Sequence, residues 1–164
     1  MGSETGLAAG TRIATTRGPV AVEGLCPGDR LLTRDHGYRP LRALAGTLLA
    51  HPVEIATGRL GFGCPDRPLR LGPEHGVLLR APGLAARFGT AELLARAADL
   101  SPPRPPGPVL GFLPFLDNPA LILADGLWLA APAIAATNPA RPLRPIPDLD
   151  TLAILLAAPF DAAA

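Results

Sequence analysis

Gly10-Thr11-Arg12-Ile13-Ala14-Thr15-Thr16-Arg17-Gly18-Pro19-Val20, continued by Val22-Glu23-Gly24-Leu25-Cys26-Pro27-Gly28-Asp29-Arg30-Leu31-Leu32-Thr33, decides the fold class. It reads as two short β-segments joined at a Gly18-Pro19 turn. A second turn at Pro27-Gly28 then feeds a third strand, Arg30 to Arg34. Proline presets φ at the first centre of a turn and glycine accepts positive φ at the second, so Pro-Gly specifies a type II turn.

The same rhythm continues outward. From Thr11 to about Leu79, apolar runs of a few residues alternate with Gly, Pro and Asp, as in Leu41 to Leu44, Val53 to Ala56 and Gly76 to Leu79. Val109 to Leu113 and Ala120 to Ala124 add two strands around a turn at Leu116 to Pro119. Asp125-Gly126 is then a hairpin signal leading to Leu127 to Ala130. Regular short runs with turn punctuation predict a mainly β, all-β domain.

One helix is expected, Gly89 to Ala98, with Thr90 as its N-cap and Glu92 in its first turn. Ser101 to Pro108 reads as a stiff polyproline-like connector, with a ligand for a proline-reading domain as the functional alternative. Residues 1–5 form a short, untethered tail and residues 6–137 the β domain. Residues 138–164 form a Pro-rich C-terminal extension packing on the domain or trailing from it, with a short apolar helix or strand at Leu152 to Ala158.

Composition excludes several function classes. A chain of 164 residues is one domain, able to bury roughly 70% of its unfolded surface. Its net charge is +1 and its cations are all scattered arginines, so nothing points to nucleic acid. The most apolar run, Ala120 to Ala136, holds Asp125 and is interrupted by Pro132, which makes it core and not a membrane span. With no signal-peptide pattern, a cytoplasmic location is expected. Cys26 and Cys64 cannot form a disulfide framework, and their turn prolines suit small buried side chains. His36, His51 and His75 lack a zinc-like spacing with them, so no metal and no cofactor is expected. His36, in Asp35-His36-Gly37, reads as a solvated turn residue.

The order of the motifs adds chemistry. Gly6-Leu7-Ala8-Ala9-Gly10-Thr11-Arg12-Ile13-Ala14-Thr15 and the Pro27-Gly28-Asp29 turn resemble the opening of the Hint (hedgehog/intein) domain, in its bacterial stand-alone group, which starts Cys-Phe-x-x-Gly-Thr-x-Ile-x-Thr. Pro52 to Gly61 and Asp66 to Arg80 are similar to the family's central block, where a Ser or Thr, a Pro, any residue and a His precede Arg-Val-Leu-Leu. Phe115 to Trp128 is similar to its late hairpin, Phe-Asp-x-His-Glu followed by apolar residues and Ala-Glu-Gly. The blocks span about residues 6 to 130 in family order.

The resemblance implies a compact horseshoe of short strands with one or two short helices, in which the chain near Gly10 to Thr16, Gly76 to Arg80 and Leu121 to Ala124 meets. It also implies self-cleavage. A leading thiol attacks the carbonyl before it to form a thioester, while a His and a Ser or Thr polarise the scissile peptide and protonate its nitrogen. A second His in the late hairpin assists proton movement. Here the former nucleophile position is Gly6, the former Ser/Thr position is Gly72, the former late His position is Pro119, and His75 alone remains.

Three readings follow. The first is a degenerate Hint-like domain that has lost self-cleavage and serves as a structural or binding module, with a protein partner possible. The second is an active autoprocessing domain with a displaced nucleophile, for which Thr5, Thr11 or Cys26 are the candidates. The third is an unrelated β domain that binds a small molecule. If the family geometry holds, His75 lies within a few ångströms of the backbone at Gly6.

Overall fold

Thirteen strands form two antiparallel sheets in the computed structural model, which describes residues 4–61, 63–80, 84–101, 107–134 and 144. The chain runs β1 (Leu7–Ala8), β2 (Arg12–Thr15), β3 (Gly18–Ala21), β4 (Arg30–Thr33), β5 (Gly37–Pro40), β6 (Ala43–Leu49), β7 (Val53–Ile55), β8 (Leu69–Leu71) and β9 (Gly76–Arg80). Helix α1 (Leu84–Phe88), β10 (Glu92–Arg96), helix α2 (Ala97–Leu100), β11 (Val109–Phe115), β12 (Ala120–Ala124) and β13 (Leu127–Ala131) follow. The all-β expectation holds, with two short helices among the described residues.

One sheet has the order β6-β11-β1-β8-β7 and the other β10-β9-β13-β12-β2-β4-β5, with β3 on β2. The core lies between them. Leu7, Val53, Ile55, Leu69 and Leu71 of the first sheet join Ile13, Leu31, Val77, Leu79, Ile122 and Leu129 of the second in one buried cluster. Period-two patterning explains the partition, since alternate residues of each strand project to opposite faces. The three blocks converge as the family order implies. Strand β2 pairs with β12, Ile13 facing Ala124, and β9 reaches β12 through β13, Val77 facing Leu129.

The turns follow their residue chemistry with one shift. Asp29 N–H donates to the Cys26 carbonyl at 3.0 Å across Pro27-Gly28, with Gly28 at φ 95°. The first hairpin turns at Thr16-Arg17 and not at Gly18-Pro19. Thr15 pairs with Gly18, and Pro19 lies inside β3 opposite Ala14. Proline is tolerated there because, among the described strands, β3 pairs only with β2, so no ladder donor is required on its outer side.

The expected helix at Gly89 to Ala98 is the larger correction. Glu92–Arg96 is a strand paired along its whole length with β9, Leu93 facing Leu79 and Leu94 facing Leu78. Alternation decides it. Ala95 enters the main core, whereas Leu94 packs on the opposite face with Leu78 and Leu121. Thr90 leads into the strand instead of capping a helix, its hydroxyl accepting the Glu92 N–H at 3.3 Å.

Cys26 is exposed, not buried, while Cys64 is half-buried, and no disulfide joins them. His36 is exposed as expected, its N–H donating to Thr33 Oγ1 at 3.2 Å. Glu4 and Thr5 are held against the domain, as described below. Apart from Ser101, Gly107, Pro108 and Arg144, the proline-rich connector, the extension and the Leu152 to Ala158 segment lie outside the described residues.

Candidate functional site

The site begins with a turn. Gly72-Pro73-Glu74-His75 links β8 to β9, and His75 N–H donates to the Gly72 carbonyl at 3.0 Å. Pro73 occupies the position where a fixed φ favours such a turn. The turn is pinned from beneath by the start of α2, where Ala97 N–H donates to the His75 carbonyl and Ala98 N–H to the Pro73 carbonyl, both at 2.9 Å. Gly72 and His75 thus stand at the two ends of one rigid device.

The N-terminal chain is threaded across it. Strand β1 is central in its sheet, with Leu7 opposite both Phe112 and Leu71. This register fixes Gly6, whose carbonyl accepts the Gly72 N–H at 3.0 Å. On its other side, the Gly6 N–H donates to His75 Nδ1 at 3.1 Å in a buried setting. One residue earlier than the Thr5–Gly6 bond, the Glu4 carbonyl accepts the Glu74 N–H at 3.0 Å. The Glu4 carboxylate accepts the His51 N–H, also at 3.0 Å.

His75 is 2% exposed. An N–H donates only to an unprotonated ring nitrogen, so the hydrogen bond from Gly6 fixes the neutral ring's proton on Nε2. Burial pushes the imidazole pKa down to about 4, and the Ala130 carbonyl pulls weakly the other way. Among the described residues, Nε2 has no hydrogen-bond partner of ordinary geometry. At neutral pH His75 is therefore an uncharged acceptor that orients the Gly6 amide.

The two glycines are built into this packing. A Cβ on Gly72 would come within 2.7 Å of the Glu4 carbonyl carbon and 2.9 Å of Thr5 Cα. Gly6 has φ 143°, and a Cβ there would lie 3.1 Å from Thr47 Cγ2 and 3.4 Å from the Phe112 carbonyl oxygen. At Gly72 a side chain is excluded by the path of the backbone, whereas at Gly6 it is strained by the positive φ and needs Thr47 to give way.

The structure thus brings Gly6, Gly72 and His75 into one hydrogen-bonded cluster. Pro119 lies just beyond the Ala120–Ala131 pair that ends the late hairpin. That is the end of the hairpin nearest Ala130, but no hydrogen bond among the described residues joins Pro119 to Gly6 or His75. Thr11 Oγ1 is engaged with the Ala8 carbonyl at 2.7 Å, and Cys26 sits in the exposed Pro-Gly turn. Residue identities alone missed Glu4, Thr47 and Phe112 as walls of the site. The turn-forming Pro73 was a readable signal for the pairing of Gly72 with His75.

A Hint domain model matches residues 5–105, from the threaded N-terminal chain to beyond α2. The chain belongs to the Hint domain family. Solved intein structures share its fold. The MchDnaB-1 intein matches with a TM-score of 0.50 at 17% identity, covering 76% of this chain and 98% of its own. A splice-inactive variant of the AceL NrdHF class 3 split intein, linked to GSH, gives 0.51 at 11% identity, covering 79% and 99%. Such identities establish the fold alone. No curated protein matches the sequence. Family membership sets aside the third sequence reading, an unrelated β domain.

Proposed function

We propose that this Hint domain has lost self-cleavage and acts as a structural or binding module that grips its own N-terminal peptide. The observation carrying this reading is the fit of backbone against backbone at Gly72 and Glu4. A chain that had merely exchanged a Ser or Thr side chain for hydrogen would leave a gap at position 72. Here the gap is filled by the upstream peptide.

The chemistry agrees. Cleavage at the Thr5–Gly6 bond requires a nucleophile to reach the Thr5 carbonyl carbon and an acid to protonate the Gly6 nitrogen. Glycine offers no nucleophile. His75 Nδ1 accepts from that nitrogen's hydrogen, and with a pKa near 4 the ring holds no second proton to deliver at neutral pH. What remains is orientation without reaction.

The test is intact mass. On prolonged incubation at neutral pH with dithiothreitol or hydroxylamine, which intercept thioesters and esters, the full mass is expected to persist. A time-dependent cut beside Gly6, or at Cys26, would instead establish a displaced nucleophile.

A further inference from the structure

The edges of the two sheets are not alike. Among the described strands, the outermost are β3, β5, β6, β7 and β10. An open edge offers unpaired N–H and C=O groups to any other strand, and proteins blunt it with charge, proline or shortness. Strand β7 is three residues long with Glu54 at its centre, β3 holds Pro19, and β5 holds Arg39 and Pro40. Strand β10 begins at Glu92 and ends at Arg96. Strand β6, Ala43-Leu44-Ala45-Gly46-Thr47-Leu48-Leu49, has none of these devices over its seven residues. It is paired with β11 along its whole length, and among the described residues its other side has no backbone partner.

The surface beside that edge is apolar as well. Leu48 is 65% exposed, and Leu110, directly opposite it on β11, is 56% exposed. Exposed leucines scattered singly are ordinary, but these two are cross-strand neighbours on one face. Leu44, four residues from Leu48, lies on that face too. The sequence of β6 is complementary to itself. In an antiparallel pair of two copies centred on Gly46, Leu48 of each meets Leu44 of the other, and Ala45 meets Thr47. Arg42 then stands opposite Ala50, at the end of the strand where the Glu4 carboxylate accepts the His51 N–H at 3.0 Å. Each end of the pairing thus sets an arginine beside a carboxylate. Centring on Ala45 or on Thr47 instead puts Leu48 against Arg42 or Gly46, so the Gly46 register is the one that matches leucine with leucine.

We propose that β6 is a docking edge for a second copy of this chain, the two strands pairing antiparallel about a two-fold axis at Gly46. The five-stranded sheet then runs continuously through both molecules, and the same patch serves on each side, as a two-fold contact requires. The contact gives the open backbone groups of β6 their partners and extends the apolar strip from Leu110 and Leu48 to Leu44 of the other copy. Pairing of one strand from each copy is a small interface, below the roughly 1,200 Å² of stable complexes, so the dimer is reversible and forms with rising concentration. It does not depend on whether the Thr5–Gly6 bond is cleaved.

Sedimentation velocity of the full chain, from micromolar to near-millimolar concentration, is expected to show a shift from one to two chains per particle. Gly46 is exposed, and a Cβ there meets nothing closer than Phe112 Cε1 at 4.0 Å, so a charged side chain fits with the core intact. Gly46→Lys and Gly46→Glu each bring like charges face to face at the axis and are expected to remain monomeric, with the circular dichroism of the parent. Mixed in equal amounts, the two should associate with each other. Leu48→Lys should weaken self-association by about tenfold, since two cross-strand leucine pairs are lost. A full chain that stays monomeric throughout overturns the proposal, and dimers seen only in a chain ending after Arg144 would show the edge occupied from within the same chain. A dimer that persists in both single Gly46 variants also overturns it, by putting the contact on another face. So does failure of the Lys and Glu variants to associate on mixing.

Discussion

A Cβ on Gly72 would overlap the Glu4 carbonyl group, coming within 2.7 Å of its carbon. That relationship changes what restoration of a Hint catalytic set would achieve. A threonine at position 72 supplies the amide-polarising hydroxyl, but it also expels the peptide the hydroxyl should act on. With a passenger fused upstream, Gly6→Cys/Gly72→Thr is therefore expected to release less passenger under thiol than Gly6→Cys alone. Positioned acid–base groups are worth about 10²–10⁴-fold in rate, so greater release from the double variant, followed by gel or mass spectrometry, would count against the fit at Gly72.

Gly72→Ala isolates the steric part. Overpacking a tight site costs about 1–3 kcal/mol, and the local response should be concentrated in Glu4 to Gly6. The Gly6 and Glu74 amides, which donate to His75 and to the Glu4 carbonyl, are expected to lose hydrogen-exchange protection. The β12–β13 amides should remain protected. Uniform loss across both sheets would show that the cleft is not the strained element.

His75 predicts an acid-sensitive fold. Its folded pKa of about 4 lies below the ordinary 6.5, so the unfolded chain binds the extra proton between those values. Stability is then complete above about pH 6.5 and declines as the pH falls towards 4. The loss approaches about 3 kcal/mol at full protonation, since each pKa unit is worth about 1.4 kcal/mol. Glu4, whose pKa the His51 amide holds below the ordinary carboxylate value of 4.5, adds a loss only in still more acidic solution. Urea denaturation of His75→Phe at pH 7.5 and 4.5 separates these effects. The variant should start lower by about 1–3 kcal/mol, because the Gly6 N–H loses its acceptor, yet fall less between the two pH values.

Asp125 carries a separate prediction. It turns the β12–β13 hairpin at φ 45° and clips that hairpin to β2, accepting the Arg12 N–H at 3.3 Å and the Arg12 Nε at 3.2 Å. Asp125→Gly relieves the backbone, a gain of up to about 1 kcal/mol. It also removes a buried acceptor for a charged donor, worth about 1.5–3 kcal/mol. Net destabilisation in thermal unfolding is expected, and a stabilised variant would show that turn geometry dominates over the clip.

Much of this was legible because local chemistry and tertiary structure agree. Pro27-Gly28 and Asp125-Gly126 specify their turns, and the order of the blocks anticipated the approach of His75 to Gly6. Elsewhere the partner decided. Glu92–Arg96 has acceptable helical composition but becomes a strand because β9 offers a complete ladder. Pro19 sits in a strand because that strand lies at an edge. Neither the fit of Gly72 to Glu4 nor the projection of Leu94 away from the main core follows from residue type alone. Both depend on backbones brought together from remote parts of the sequence.

The pairing of β2 with β12 also sets the tempo of folding. Arg12 and Asp125 are 113 residues apart, and Ile13 acquires its partner Ala124 only once nearly the whole domain exists. Loop closure must be completed before such contacts repay it, which places domains of this topology in the millisecond-to-second regime. During synthesis, the strand made among the earliest waits for one made among the last. Until the late hairpin leaves the ribosome, the nascent N-terminal hairpin carries Ile13 and Leu31 without their core, and holding chaperones would find their target there.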